Sequence, residues 1–185
     1  MFPVSIKELY IFGIGFFKPL QIMNNQAVTL RRIEERDNME IAELIRSVFR
    51  EFKIDKPGTV YYDPTTDDLY NLFREPGCVY WIAEENGEIT GGCGIYSTPG
   101  LPEGCAELVK LYLLPEHRGK GIGKMLMEKT FESSRALGYR QLYLESMPEL
   151  SKAIGIYEKA GFRFIPSRLG NSGHYFCNIW MVKDL

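Results

Sequence analysis

Apolar residues recur along this chain with two different spacings, and the places where the spacing changes mark the elements. Ala27–Ile33 (AVTLRRI) reads as a short strand. Asp37 then offers a cap, and Ile41, Leu44, Ile45, Val48, Phe49 and Phe52 fall on one stripe of a helix. Residues 53–68 (KIDKPGTVYYDPTTDD) are broken by Pro57-Gly58 and Pro64 and predict a loop, with a short helix around Asp67–Arg74. Two β-rich runs flank Asn86-Gly87, a tight-turn signal, and predict a hairpin. Cys105–Leu114 is a further strand, stopped by Pro115. Gly119–Leu137 predicts a helix with Ile122, Leu126, Thr130, Ser133 and Leu137 on one face, ended by Gly138. The remainder reads as a strand at 139–146, a helix at 148–161, a strand at 162–165 and a last strand from His174 to Val182. Antiparallel strands followed by a strand–helix–strand crossover give a mixed α/β fold.

Composition narrows the functional classes. The chain has 185 residues, 45% of them hydrophobic and 25% charged, which suits one soluble domain with a real core. The formal net charge of -2 argues against general binding to nucleic acid or anionic lipid, so any positive patch is local. Cys78, Cys93, Cys105 and Cys177 show no C-x-x-C spacing, and His117 and His174 are the only histidines. No metal site is expected, and scattered cysteines read as reduced core residues of a cytoplasmic protein. Residues 1–23 are apolar and aromatic, but charges, glycines and Pro19 interrupt them short of the ~20 residues of a membrane span. They also lack the layout of a secretory signal. Met23 is the expected true start, with residues 1–26 an amino-terminal extension and 27–185 a single domain. The rival reading of that extension is a short arm that binds a membrane or a partner.

The chemistry concentrates at Arg118-Gly119-Lys120-Gly121-Ile122-Gly123-Lys124, between a strand and a helix. Glycines let backbone approach a ligand, and a helix start offers unpaired N–H groups with partial positive charge. Arg118, Lys120 and Lys124 would add charge, so the turn suits a phosphate-bearing ligand. The spacing excludes a P-loop, because Met125 stands where Ser or Thr is needed. It excludes a dinucleotide loop, because Lys124 or Leu126 stands where the last glycine is needed.

R-x-x-G-x-G over 118–123, together with IYEKAGF over Ile156–Phe162 one strand and helix later, resembles the GNAT superfamily of N-acetyltransferases across roughly Val28–Val182. The resemblance implies a mostly antiparallel central sheet flanked by helices, with one splayed parallel strand pair. It implies acetyl-CoA as co-substrate, its pyrophosphate at Arg118–Lys124 and its pantetheine arm along the backbone of Leu111, Tyr112 and Leu113. The Leu113 N–H would polarise the thioester carbonyl; such a donor is worth about 3 kcal/mol of barrier. Tyr157 matches the family's frequent general acid, and a phenol of pKa about 10 can protonate a departing thiolate. Glu107 stands where some relatives carry a catalytic base, directly or through water; an electrostatic anchor for the amine is the other reading, and Glu145 is an alternative base. The chain departs from the family where an asparagine often precedes the tyrosine, a place held here by Leu150 or its neighbours Glu149 and Ser151.

The implied acceptor is a primary amine of a small molecule or peptide, attacking directly in a ternary complex. Its pocket would lie between residues 54–68 and 167–175. Tyr61, Tyr62, Asp63, Asp67 and Asp68 there suit a cationic amine, although an ordinary polar loop accounts for them more simply. His174 could orient a substrate, against an ordinary strand-edge role. The alternative function is a non-catalytic acyl-CoA-binding sensor module. No nucleic-acid partner is expected, and a homodimer is compatible with the exposed sheet edges.

Overall fold

A computed structural model of the chain describes residues 27–185; the expected amino-terminal extension, 1–26, lies outside them. Seven strands among the described residues form one sheet: β1 (Thr29–Arg32), β2 (Val79–Glu85), β3 (Glu88–Tyr96), β4 (Cys105–Leu113), β5 (Gln141–Ser146), β6 (Arg163–Ile165) and β7 (Ile179–Asp184). Their order is β1-β2-β3-β4-β5-β7-β6, antiparallel throughout except for β4 and β5. This is the mixed α/β, mostly antiparallel architecture with one parallel pair expected from the sequence.

Alternation along the strands sends side chains to two cores. On one face Tyr80 and Ile82 pack with Ile41, Ile45, Val48 and Phe49 of α1 (Asn38–Glu51) and with Leu69 of α2 (Leu69–Leu72). On the other, Val79 and Ala83 pack with Ile122, Leu126 and Phe131 of α3 (Ile122–Ala136) and with Tyr157 of α4 (Ser151–Lys159). All four cysteines are buried free thiols. Among the described residues no helix is long and apolar enough to cross a membrane.

Two strand irregularities open the sheet where a ligand could enter. β4 and β5 pair only from Cys105–Gln141 to Glu107–Tyr143, while β5 stays paired to β7 as far as Ser146–Ile179. Beyond Glu107 the two parallel strands part, and a gap opens between them. In the same stretch β4 carries a bulge: Gly94 pairs with Val109 and Gly92 with Tyr112, so Cys93 alone faces Lys110 and Leu111. Lys110 adopts φ 52°, a left-handed conformation that a non-glycine residue seldom takes. Tyr80 fixes it. The buried Tyr80 hydroxyl donates to the Lys110 carbonyl at 2.9 Å. Its ring crosses β3 over Gly92 and Gly94, where an added Cβ would lie 2.5 and 2.6 Å from ring atoms.

Two expected boundaries move. The helix expected from Gly119 begins at Ile122, because Gly119 and Gly121 take φ of 76° and 87° and form the turn before it. On that helix Leu137 is 45% exposed, and Ser133 is half-buried and accepts the Trp81 indole N–H at 3.0 Å. The final strand begins at Ile179, not at His174. Residues 174–178 instead turn back on themselves, with the Cys177 N–H donating to the His174 carbonyl, and the Tyr175 ring lies against Gly58.

Candidate active site

A cavity of about 1330 Å³ follows the gap between β4 and β5, from the glycine turn past Leu111 and Leu113 to Tyr157, Glu107 and His174. The outer end is made of backbone. The N–H groups of residues 119–124 find no acceptor among the described residues, and the first bond of the helix runs from Met125 N to Gly121 O at 3.0 Å. Six successive donors at a helix start, with a Cβ-free approach at Gly119 and Gly121, form a cradle for an anion. The pyrophosphate of coenzyme A fits that cradle by charge and by donor set.

Lys120 and Lys124 are exposed beside the turn, and Lys124 lies 3.6 Å from Glu128. Arg118 is committed inside the protein. Its guanidinium makes two 2.7 Å bonds to Glu51 at the end of α1, its Nε donates to the Leu113 carbonyl at 2.9 Å, and it lies over the Phe52 ring. Arg118 therefore ties α1 and β4 to the turn, and its charge is compensated before any phosphate arrives.

Next inward, Leu114 N donates to Thr90 O on β3 at 3.0 Å. Backbone alternation then turns the N–H groups of Leu111 and Leu113 away from β3, into the gap, and that of Tyr112 toward β3. The Tyr112 side chain packs on Phe49 at 5.5 Å between ring centroids, which makes it a wall residue. All three expected pantetheine partners, Leu111, Tyr112 and Leu113, line the cavity.

Tyr157 projects from α4, is 8% exposed and meets Phe162 edge-on at 5.9 Å. Burial raises its pKa above the ordinary phenol value, so it stays protonated at neutral pH. Its hydroxyl has no hydrogen-bond partner among the described residues and lines the cavity. Glu107 sits where the parallel pairing ends, 4% exposed. Burial pushes its pKa up to about 7; the Thr98 hydroxyl bond to one carboxylate oxygen opposes the rise, and Glu145 adds to it. A carboxylate that titrates near neutrality can accept a proton there. Glu145 is less free, since its oxygens accept the Tyr143 and Ser172 hydroxyls at 2.8 Å each and Arg168 approaches to 3.4 Å.

The inner end is roofed by the two segments expected there. His174 Nε2 lies 3.2 Å from Asp63, and Asp63 also lies 3.4 Å from Lys110 Nζ, which donates to Thr66 at 3.2 Å. Burial pushes the Asp63 carboxyl up, but the His174 bond, the Lys110 charge and the Thr65 bonds outweigh it and hold the pKa well below the usual range. The Lys110 pKa is also lowered, here by burial, with Asp63 opposing. Asp67 is taken by a bidentate Arg46 pair at 2.6 and 2.8 Å, and Asp68 by Asn38 and Asn71. The loop carboxylates are thus internal fastenings rather than open cation sites. Lys110, Thr98 and Tyr80 escape sequence reading. The one hint is the run Gly91-Gly92-Cys93-Gly94, since glycines inside a strand mark a bulge or a close approach.

Comparisons with known proteins agree with this geometry. A protein of Escherichia coli (strain K12) named uncharacterized N-acetyltransferase YjgM is 40% identical over 168 residues, covering 88% of this chain and all of that protein. An acetyltransferase of the GNAT family from Staphylococcus aureus Mu50 superposes with a TM-score of 0.76 at 23% identity, over 86% of this chain and 99% of its own. The PaiA N-acetyltransferase of Thermoplasma acidophilum, solved in complex with coenzyme A, superposes with a TM-score of 0.68 at 19% identity, over 86% and 99%. The model of the acetyltransferase (GNAT) family matches residues 40–162. With two thirds of its length matched and the splayed strands and glycine turn in place, this chain belongs to the acetyltransferase (GNAT) family.

Proposed function

We propose that the protein transfers the acetyl group of acetyl-CoA to a primary amine by direct attack within a ternary complex. The observation that carries the reading is continuity. The turn of unpaired amides at 119–124 borders, through Gly119, Gly121, Gly123 and Lys124, one cavity whose far end holds a neutral phenol and a carboxyl that titrates near pH 7. The diphosphate would rest on the turn, and the pantetheine arm would pair with the Leu111 and Leu113 backbone as an added strand. The Leu113 N–H would then hold the thioester carbonyl as its oxygen gains charge.

An alkylammonium has no lone pair, so Glu107 takes a proton from the incoming amine, directly or through one water. The amine nitrogen bonds to the acetyl carbon, the carbon–sulfur bond breaks, Tyr157 donates its proton to the departing sulfur, and the second proton leaves the nitrogen as the amide forms and returns to Tyr157. The apolar surround of Tyr157 keeps the phenol proton in place until thiolate develops.

Release of free thiol from acetyl-CoA, followed over a panel of amines with product mass, tests the proposal. Tyr157→Phe should lower kcat by about 100-fold, the range of general acid catalysis, and leave acetyl-CoA affinity by calorimetry within about twofold. Full turnover in Tyr157→Phe would remove the phenol from the mechanism. Saturable acetyl-CoA binding with no turnover on any amine would favour the non-catalytic sensor.

A further inference from the structure

The charges around the acceptor end of the cavity are balanced against one another, with one exception. Asp63 takes Thr65 N at 2.9 Å, the Thr65 hydroxyl at 2.8 Å, His174 at 3.2 Å and Lys110 at 3.4 Å. Lys110 is matched by Asp63 and Thr66. Glu145 is matched by two hydroxyls and Arg168. Glu107 alone carries a single partner, the Thr98 hydroxyl, and its second oxygen accepts nothing among the described residues. The walls between these groups include the apolar and aromatic Phe49, Val60, Leu72, Phe73 and Tyr96, with uncharged Thr59 and Asn171 beside them.

The bulge in β4 explains how this balance arises. Glu107 and Lys110 are three residues apart and would face opposite sides of a regular strand. The extra residue turns Lys110 to the side of Val109 and Tyr112, where it meets Asp63 and Thr66 instead of the apolar core around α3. A lysine and an aspartate are thereby fixed against each other, 8% and about one-fifth exposed, at the edge of the pocket.

We infer that the acceptor is a monoamine on an uncharged, apolar or aromatic body, selected because the protein leaves one carboxylate oxygen open and pairs every other charge internally. The inference rests on the acetyl-transfer reading and names its substrate class. A second ammonium on the acceptor meets acids that are already satisfied. A carboxylate beside the amine has to draw Lys110 away from Asp63, which leaves a partly buried acid with only Thr65 and His174. Both penalties act on the wrong substrate and so give specificity by exclusion.

The test compares kcat/KM for matched amines on the full chain with acetyl-CoA. Hexylamine is set against 1,5-diaminopentane, where an ammonium replaces the end methyl, and 2-phenylethylamine against phenylalanine and phenylalaninamide. The uncharged-body amines should exceed the diamine and the amino acid by at least about tenfold, which is about 1.4 kcal/mol, and the amide should follow 2-phenylethylamine. Asp63→Asn, which strands Lys110, should shift the ratio toward phenylalanine. Lys110→Met, which removes the ammonium facing Asp63, should shift it toward the diamine. Equal or better turnover of the diamine or the amino acid by the unaltered protein overturns the inference while leaving acetyl transfer standing. Ratios that do not move in folded variants overturn its basis in the Lys110–Asp63 pair. Saturable acetyl-CoA binding with no amine turned over overturns the acetyl-transfer reading itself, and the inference with it. The ratios in the unaltered protein stand whether or not the variants fold.

Discussion

The two ends of the cavity are built by opposite means. The coenzyme end is backbone, six consecutive amides and a turn with two left-handed glycines, all within residues 119–124. The acceptor end is side chains brought from distant parts of the chain: Asp63, Thr98, Glu107, Lys110, Glu145 and His174. A backbone site needs only a local conformation, so it keeps its purpose whatever surrounds it. A side-chain site takes its character from which charges cancel, and that is settled only in three dimensions. The same contrast separates general from particular: diphosphate is common to every use of the coenzyme, whereas the acceptor is not.

The comparison breaks most sharply at Glu107. Glu107→Gln should lower kcat/KM by about 100-fold or more, within the range for loss of a general base. It should also abolish the rise of kcat/KM as pH passes through about 7, where Glu107 loses its proton. Stability should move the other way. The folded carboxyl holds its proton to about pH 7, whereas the unfolded one releases it near the ordinary value of 4.5. The folded protein therefore loses stability as pH rises through that window. The Tm of Glu107→Gln should gain on the unaltered protein between pH 4.5 and 7 and stay ahead above it. A variant with full activity and an unchanged pH profile would make Glu107 an anchor rather than a base.

At the coenzyme end the effect is smaller and lands on a different constant. Gly121→Ala puts a methyl where no protein atom lies within 4 Å, so its cost falls on the φ of 87° and on the approaching ligand. We expect KM for acetyl-CoA to rise about tenfold, the equivalent of roughly 1.4 kcal/mol, with kcat at saturation nearly unchanged. A loss confined to kcat would mean that the turn serves the chemistry instead of the diphosphate.

Smallest in activity is the support between the two ends. Tyr80→Phe removes the donor to the Lys110 carbonyl and leaves that buried carbonyl unpaired, at a cost of about 1–3 kcal/mol in urea unfolding. Acetyl-CoA affinity should hold, while the preference among amines weakens. Unchanged stability would show that the bulge holds its shape without the phenol.

Legibility in the sequence followed the same divide. The Asn86-Gly87 hairpin, with φ of 61° and 83°, and the α1 stripe from Ile41 to Phe49 are local patterns and stand where expected. The glycine turn also lies between β4 and α3 as expected, although its glycines precede the helix rather than open it. His174 was misplaced as strand because its partners are Asp63 and the neighbouring turn, contacts more than a hundred residues apart or outside any ladder. Asp67 and Asp68 looked open as text, yet Arg46, Asn38 and Asn71 occupy them. Arg118, expected beside the phosphate, also pairs with Glu51, 67 residues earlier, which no local pattern signals. Each difference is a pairing, and pairing has no signature at any fixed spacing.

The most direct measurement is an amide titration of isotope-labelled protein with acetyl-CoA, read residue by residue. The account predicts large shifts and slowed exchange at the N–H groups of 119–124, with smaller changes at Leu111 and Leu113 and little at the Arg118 guanidinium, which stays on Glu51. Saturable binding that leaves the 119–124 amides unmoved would contradict it.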